Sequence, residues 1–101
     1  MSQDTLKITT KDTSKGVTLK LEGRVVGPWA AELDRYWQQN TSALSAKSVS
    51  LDLRDTTFAD AEGIRILRAI YAQTGAEILT GTLWTQHLAD EITRNQAAQE
   101  R

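Results

Sequence analysis

Apolar and polar residues alternate twice near the start of the chain, over Thr5–Thr10 and over Val17–Glu22. An alternation with a period of two residues is typical of a strand that buries one face. The polar segment Lys11–Gly16 lies between the two and contains residue types that favour a turn. The pattern therefore predicts a β-hairpin whose second strand ends at Gly23.

The spacing of apolar residues becomes helical after this hairpin. Gly27-Pro28 marks a helix start, because the proline ring already holds the backbone angle that the first helical turn needs. The helix is expected to run to Asn40, with its apolar residues spaced i, i+4, i+7 and i+8. Three of these residues are aromatic, and their spacing places them in the core rather than in a ligand site. The four residues are Trp29, Leu33, Tyr36 and Trp37.

A third strand and a second helix are predicted in the middle of the chain. Thr41–Ser48 is a polar connection, and the alternation over Ser48–Leu53 indicates the strand. Arg54–Ala59 is interpreted as a second connection. Asp60 has a side chain that caps a helix N-terminus, and the helix that it begins is expected to end at Gly75.

A short fourth strand over Ala76–Leu79 and a third helix from Thr82 complete the pattern, and the polar residues Asn95–Arg101 either fray or extend that helix. The order β-β-α-β-α-β-α predicts an α/β fold. Its sheet is expected to be mixed, mostly parallel and about four strands wide, starting with a hairpin and carrying about three helices. Residues 1–101 are interpreted as one domain, because no linker or repeat interrupts a length typical of one domain.

Composition narrows the classes of function. The 101 residues include 12 basic and 13 acidic side chains, for a net charge of −1, so we do not expect nucleic-acid binding, which requires a basic surface. It has no cysteine, no apolar run of membrane-spanning length and no signal-peptide pattern. We therefore expect a cytoplasmic protein without disulfides and without membrane insertion.

Residues for catalysis are sparse. His87 is the single histidine, which excludes multi-histidine metal sites and mechanisms that need two histidines. Asp60 and Glu62 form a carboxylate pair, but no nucleophile, histidine or lysine lies close in sequence, so we interpret them as a helix cap and a solvated charge. Asp52 and Asp55 lie nearby and leave a weak Mg²⁺ site open as an alternative. We predict a non-enzymatic protein with no catalytic residue, no metal site and no cofactor.

The segment Leu51-Asp-Leu-Arg-Asp-Thr-Thr-Phe-Ala-Asp-Ala-Glu-Gly-Ile-Arg-Ile-Leu67 resembles the signature of the STAS domain. That family comprises the anti-sigma-factor antagonists and the cytoplasmic domains of sulphate transporters. In it a buried strand ends in a turn, and an apolar residue and Asp-Ser-Ser-Gly follow at the start of a helix. Phe58 matches the apolar residue, Asp60 the aspartate and Gly63 the glycine. The resemblance extends over roughly Leu6–Ile92 and implies an α/β fold of this type.

The chain departs from the family at the phosphorylated serine. Ala61 occupies the position of that serine, and Glu62 occupies the next one. Because alanine has no hydroxyl, the resemblance implies an antagonist whose phosphorylation switch is lost at this position. Glu62 supplies less charge than a phosphate, so we do not expect it to imitate phosphoserine faithfully. Whether Thr56 or Thr57 takes over the phosphorylation stays open.

Two further features of the second helix bear on its role. Gly63 falls inside the first turn, where glycine costs about 1 kcal/mol relative to alanine. It indicates either a close approach by another backbone or a partner, or packing against the Phe58 turn. Arg65 and Arg68 recur at i, i+3 and indicate either a solvated face or the basic half of a partner-binding surface.

The expected function is that of a protein–protein interaction module. By resemblance, its partner is an anti-sigma factor or serine kinase of a bacterial regulatory pathway, or it is a subunit of a larger regulatory or transport assembly. An alternative is a small-ligand or nucleotide site at the helix N-terminus over Asp60–Gly63, because a helix start attracts anions. The residues expected to contact a partner are Thr57, Phe58, Asp60, Ala61, Glu62, Gly63, Arg65 and Arg68.

Overall fold

The computed structural model describes residues 6–14, 16–42 and 47–98, with side chains up to residue 93. Within these ranges the predicted α/β class with three main helices is confirmed. The connection after the first helix contains two further helical residues, 41 and 42, and the prediction for residues 99–101 lies outside the described residues. The elements are β1 (Leu6–Thr13), β2 (Gly16–Val25), α1 (Gly27–Gln39), β3 (Val49–Asp52), β4 (Thr56–Ala59), α2 (Ala61–Thr74), β5 (Glu77–Leu79) and α3 (Leu83–Ala98).

The sheet is mixed and mostly parallel, as predicted. β1 and β2 form the antiparallel hairpin, in register from Leu6 opposite Gly23 to Thr13 opposite Gly16. β3 lies parallel to the first part of β2, and β5 lies parallel to β3. The prediction that Gly23 ends β2 was wrong, because the strand continues to Val25. Gly23 has a φ of 107° and lies at a bulge, where a left-handed backbone favours glycine.

β4 is a fifth strand in a segment that we predicted to be a connection. It pairs in parallel with the end of β2, where Thr56 lies opposite Gly23 and Phe58 lies opposite Arg24. Thr57 is thus inserted between two cross-strand pairs. Because Thr57 and Phe58 are both exposed between two buried neighbours, the alternation that reveals a strand in a sequence is lost.

All three helices pack on one face of the sheet and enclose the core with it. Burial of one large aliphatic side chain stabilises the fold by about 1.5–3 kcal/mol. The many buried side chains between the sheet and the helices therefore contribute most of the hydrophobic stabilisation. The fully buried ones include Leu19, Leu21, Leu33, Leu51, Ile66, Leu67, Ile70, Leu88 and Ile92. Alternation places polar side chains on the other face, which we call the open face. Its residues include Lys7, Thr9, Lys11, Thr18, Lys20, Glu22, Ser50 and Asp52.

The helix ends follow local chemistry. Asp60 is the N-cap of α2, and Gly75, with a φ of 65°, ends it and donates its N–H to the Tyr71 carbonyl at 2.8 Å. Both positions are as predicted. At the start of α3, Thr85 donates its N–H to the Thr82 hydroxyl at 3.0 Å, and Thr82 donates its N–H to the Thr85 hydroxyl at 2.9 Å. This reciprocal pair satisfies amides that have no partner within the helix.

The aromatic residues of α1 belong to the core in part. Trp37 is buried, and Tyr36 packs against the core from its edge, as does Trp84 of α3. Trp29 is half-buried and lies outside the core cluster. His87 is exposed, as the pattern predicted. In the described parts of the chain, no helix has the length and the apolar character needed to cross a bilayer.

Candidate functional site

Helix α2 begins directly behind β4, and Asp60 holds this junction together. Its Oδ1 accepts a hydrogen bond from the Gly63 N–H at 2.8 Å, and its Oδ2 accepts one from the Gly27 N–H at 3.1 Å. The Asp60 N–H donates to the Val25 carbonyl at 3.3 Å. One carboxylate therefore caps α2 and also binds the amide at the start of α1, 33 residues earlier in the chain.

The same hydrogen bonds fix the charge of this carboxylate. Backbone amides, first that of Gly63 and then that of Gly27, hold the pKa of Asp60 below its ordinary value. Asp60 is thus ionised at neutral pH and occupies amides that a helix start would otherwise offer to an anion. The charge of Glu62 lies in the same turn. The geometry therefore does not favour an anion site over residues 60–63.

Gly63 is buried and permits a close approach between α2 and β2. A Cβ atom at this position would lie 2.1 Å from the Val25 carbonyl oxygen and 3.0 Å from the Val25 Cγ1. The approaching backbone therefore belongs to the chain itself. Gly63 lies beneath the surface on which a partner was predicted, and it serves the fold.

The residues before and after the cap face solvent. The Thr57 hydroxyl donates to the Gly23 carbonyl at 3.1 Å, and the rest of the side chain is exposed. The Phe58 ring is 41% exposed, and the Arg24 guanidinium carbon lies 5.0 Å from its centroid, within cation–π range. Ala61, at the first position of α2, is also exposed.

Glu62 and Arg65 form an ion pair one helical turn apart on the surface of α2. The hydrogen bond between them lowers the pKa of Glu62 and raises that of Arg65, to which the charge of Asp34 on α1 also contributes. Their side chains are 50% and 62% exposed, so solvent screens the pair and its effect on stability is small. The pair instead presents both signs of charge beside the helix start.

Arg68 is directed to a neighbouring helix. Its Nε donates to the Glu91 carbonyl at 3.1 Å, and its Nη2 lies 3.7 Å from the Glu91 Oε1. Arg68 thus links α2 to α3 and is half-buried, whereas we predicted it on the outer face. Five of the eight predicted contact residues are exposed around the start of α2, and we call them the junction surface. They are Thr57, Phe58, Ala61, Glu62 and Arg65.

The two threonines of β4 differ in accessibility. Thr56 is 3% exposed, and its hydroxyl donates to the Leu21 carbonyl at 2.8 Å. A kinase could not reach this hydroxyl in the folded protein. Thr57, the inserted residue of the bulge, is the one of the two whose hydroxyl is accessible.

An ion pair between a buried carboxylate and an exposed guanidinium lies on the open face, and the sequence did not reveal it. Asp52 is 4% exposed, and its carboxylate accepts from the Arg54 Nε at 3.0 Å and from the Arg54 Nη2 at 2.9 Å. These side-chain hydrogen bonds lower the pKa of Asp52 against the opposing effect of burial. An aspartate in a central strand with an arginine two residues later is the signal that could have revealed the pair. Within the described ranges, no three His, Cys, Asp or Glu residues are grouped to hold a metal ion.

Comparison with known proteins bears on the fold. A crystal structure of an anti-sigma factor antagonist from Mycobacterium paratuberculosis matches this chain with a TM-score of 0.77, covering 96% of this chain and 85% of that one. The predicted fold is confirmed. The two sequences are 18% identical, so the likeness establishes the fold alone. No family model matches the sequence, and no curated protein matches it.

Proposed function

We propose that this protein is a non-enzymatic interaction module of the anti-sigma factor antagonist type and that the junction surface binds its partner. The observation that carries the proposal is that residues 57–65 divide into two groups, one that faces the interior and one that is exposed. Asp60 and Gly63 point inward and build the junction, whereas the junction surface is exposed and makes few contacts that the fold requires. A segment with such a division has side chains available for recognition.

The chemistry of the junction surface suits a protein partner. Phe58 offers an exposed aromatic ring, and Glu62 and Arg65 place both signs of charge within one helical turn of the cap. Aromatic residues and arginine are enriched in protein interfaces and often contribute most of the binding energy. Ala61 adds a small, flat position between them, against which a partner backbone can approach.

The partner proposed is an anti-sigma factor or a serine kinase of the same regulatory class, met in the cytoplasm. The structurally similar protein is an anti-sigma factor antagonist, and the fold matches over nearly the whole chain. Ala61 offers no hydroxyl, so binding at this surface is not switched by phosphorylation of that residue. Glu62 carries its negative charge at all times at neutral pH, so the charge of the junction surface at this position does not depend on a kinase. A subunit of a signalling or transport assembly would use the same surface.

The test reverses one charge on the junction surface. We expect Glu62→Arg to abolish capture of the partner from the native cell lysate, because it removes the ion pair and brings two cations together at the helix start. The matched control is Glu32→Arg on α1, since Glu32 and Arg35 form the same i, i+3 pair at a similar exposure. Glu32 is a suitable control because it is directed away from the junction surface. It lies about 200° around α1 from Asp34, whose charge acts on Arg65.

The outcome is measured by mass spectrometry and then by calorimetry with the purified partner. An anti-sigma factor or serine kinase captured by wild type and by Glu32→Arg, but not by Glu62→Arg, would support both the function and the surface. Identical capture by all three proteins would place the binding surface elsewhere. Capture of transporter or scaffold subunits would support the assembly-subunit function instead.

A further inference from the structure

The open face of the sheet contains a cavity of about 590 Å³ that has no part in the proposed partner surface. Strand register places six of its eight lining residues side by side across four strands, whereas Arg54 follows β3 and Thr10 lies opposite Leu19 of the core face. Thr9 lies opposite Lys20, Lys20 opposite Asp52, and Asp52 opposite Leu79. A second row begins with Lys11 opposite Thr18. Their side chains share the open face because residues two apart in a strand point the same way.

Three cations line this cavity, and one buried carboxylate lies beneath them. Lys11, Lys20 and Arg54 supply the positive charges, and Asp52 supplies the negative charge. Asp52 is already engaged by Arg54 in two side-chain hydrogen bonds. A guanidinium has five N–H donors, so three donors of Arg54 are left for a bound anion. The lining itself therefore has an excess of two positive charges.

The acidic groups beside the cavity hold Lys20 only weakly. The Lys20 Nζ lies 3.3 Å from an oxygen of Asp55 and 3.9 Å from one of Glu22, and all three side chains are more than a third exposed. Exposed pairs of this kind contribute about 0–1 kcal/mol, so a phosphate with more charge displaces them readily. Lys7 lies opposite Glu22 in the register and offsets its charge. For Lys11 the described residues provide no ion pair.

The remaining lining residues suit a small organic molecule. The hydroxyls of Thr9 and Thr18 add hydrogen-bond donors on the cation side, and Leu79 forms an apolar wall at the other end of the row. Volumes of roughly 300–1,000 Å³ are usual for small-molecule sites. Charge-assisted hydrogen bonds from arginine and lysine to phosphate are among the stronger polar contacts that proteins make.

We infer that the open face is a binding site for a phosphorylated small molecule, with Lys11, Lys20 and Arg54 contacting the phosphate and Leu79 packing on the organic part. The inference does not depend on the proposed function, because none of these residues belongs to the junction surface. It also places the anion site on a different face from the helix start that the sequence suggested.

The experiment titrates pyrophosphate, ATP and adenosine into the full chain by calorimetry, with amide chemical shifts to locate the site. We expect saturable one-to-one binding of the two phosphate compounds and none of uncharged adenosine. The double variant Lys11→Gln/Lys20→Gln should weaken this binding about tenfold or more. Lys7→Gln is the matched control, since Lys7 lies on β1 and the open face but does not line the cavity, and it should bind as wild type does.

Several outcomes would overturn the inference. These are the absence of saturable binding at millimolar pyrophosphate and ATP, equal weakening by Lys7→Gln, or chemical-shift changes confined to residues 60–65. Selective binding of an acidic protein surface, with no effect from the phosphate compounds, would overturn it as well. Glu62→Arg separates the two proposals, because it should abolish partner capture and leave pyrophosphate binding by the open face intact.

Discussion

The inner and outer sides of the junction between β4 and α2 follow opposite rules. On the inner side, Asp60 binds the amides of Gly63 and Gly27, and a side chain at position 63 would meet a backbone carbonyl of β2. On the outer side, Phe58 and the Glu62–Arg65 pair are exposed and only loosely constrained. The difference shows how one short motif can define the fold and still leave its surface available for recognition.

Substitution of Gly63 should have the largest effect on stability, because any side chain at this position meets the backbone of β2. Gly63→Ala would place a Cβ 2.1 Å from the Val25 carbonyl oxygen, so backbone must shift. In an ordinary helix the same change stabilises by about 1 kcal/mol, but here we expect a loss of about 3 kcal/mol in the free energy of unfolding. Urea denaturation measures it. Ala69→Gly, exposed in the same helix, is the control and should cost only about 1 kcal/mol.

The two threonines of β4 provide a matched pair for the same comparison. Thr56→Val removes the donor to the buried Leu21 carbonyl and should reduce the free energy of unfolding by about 1–2 kcal/mol. Thr57→Val changes an exposed residue and should stay within about 0.5 kcal/mol of wild type. Both are measured by urea denaturation. Equal losses in the two variants would contradict the division between an inner and an outer side.

Acid should weaken the fold through two carboxylates, Asp60 on the inner side of the junction and Asp52 on the open face of the sheet. The pKa values of Asp60 and Asp52 are lower in the folded protein, so ionised carboxylates favour folding above the unfolded-state pKa. This stability is lost as the pH falls below about 4–5 toward the folded-state values. The melting temperature should therefore fall between pH 6 and pH 3. Asp60→Asn should fall less over this range, and an identical fall would rule out Asp60 as a contributor.

Reversing Glu62 should have a small effect on stability and a large one on binding. Glu62→Arg breaks an exposed ion pair and places a cation in the first helical turn, so the free energy of unfolding should fall by about 1 kcal/mol and the melting temperature by about 5 °C. Differential scanning calorimetry of the variant and of Glu32→Arg measures this directly. A large loss of stability in Glu62→Arg would assign Glu62 to the inner side of the junction.

Much of the fold could be predicted from the sequence because local chemistry determined it. The hairpin followed from alternation, the start of α2 from Asp60 and its end from Gly75. β4 was missed because its bulge places Thr57 and Phe58 outward together, and the end of β2 was misplaced because Gly23 serves a bulge. Alternation detects regular strands, and a bulge removes the regularity.

The site could be predicted only as a segment. The sequence identified residues 57–68, but which side chains face inward depends on contacts with distant elements. Gly63 is explained by the Val25 carbonyl and Arg68 by Glu91, and neither contact is visible in the local pattern. The ion pair of Asp52 with Arg54 was missed because the carboxylate was interpreted by its charge alone. The role of Asp52 depends on its position in β3, where the carboxylate is buried and bound by Arg54.

The hydrogen bond from Gly27 to Asp60 has a consequence for folding kinetics. It joins the starts of two helices that are 33 residues apart, and parallel pairing of β2 with β3 and β4 spans a similar stretch of chain. Such contacts require closure of a long loop before they contribute, which slows folding relative to a helical bundle. The link can form only after both helix starts are in place, so we expect it to be absent from the transition state. A substitution that removes the Asp60 carboxylate should therefore accelerate unfolding and leave the folding rate nearly unchanged.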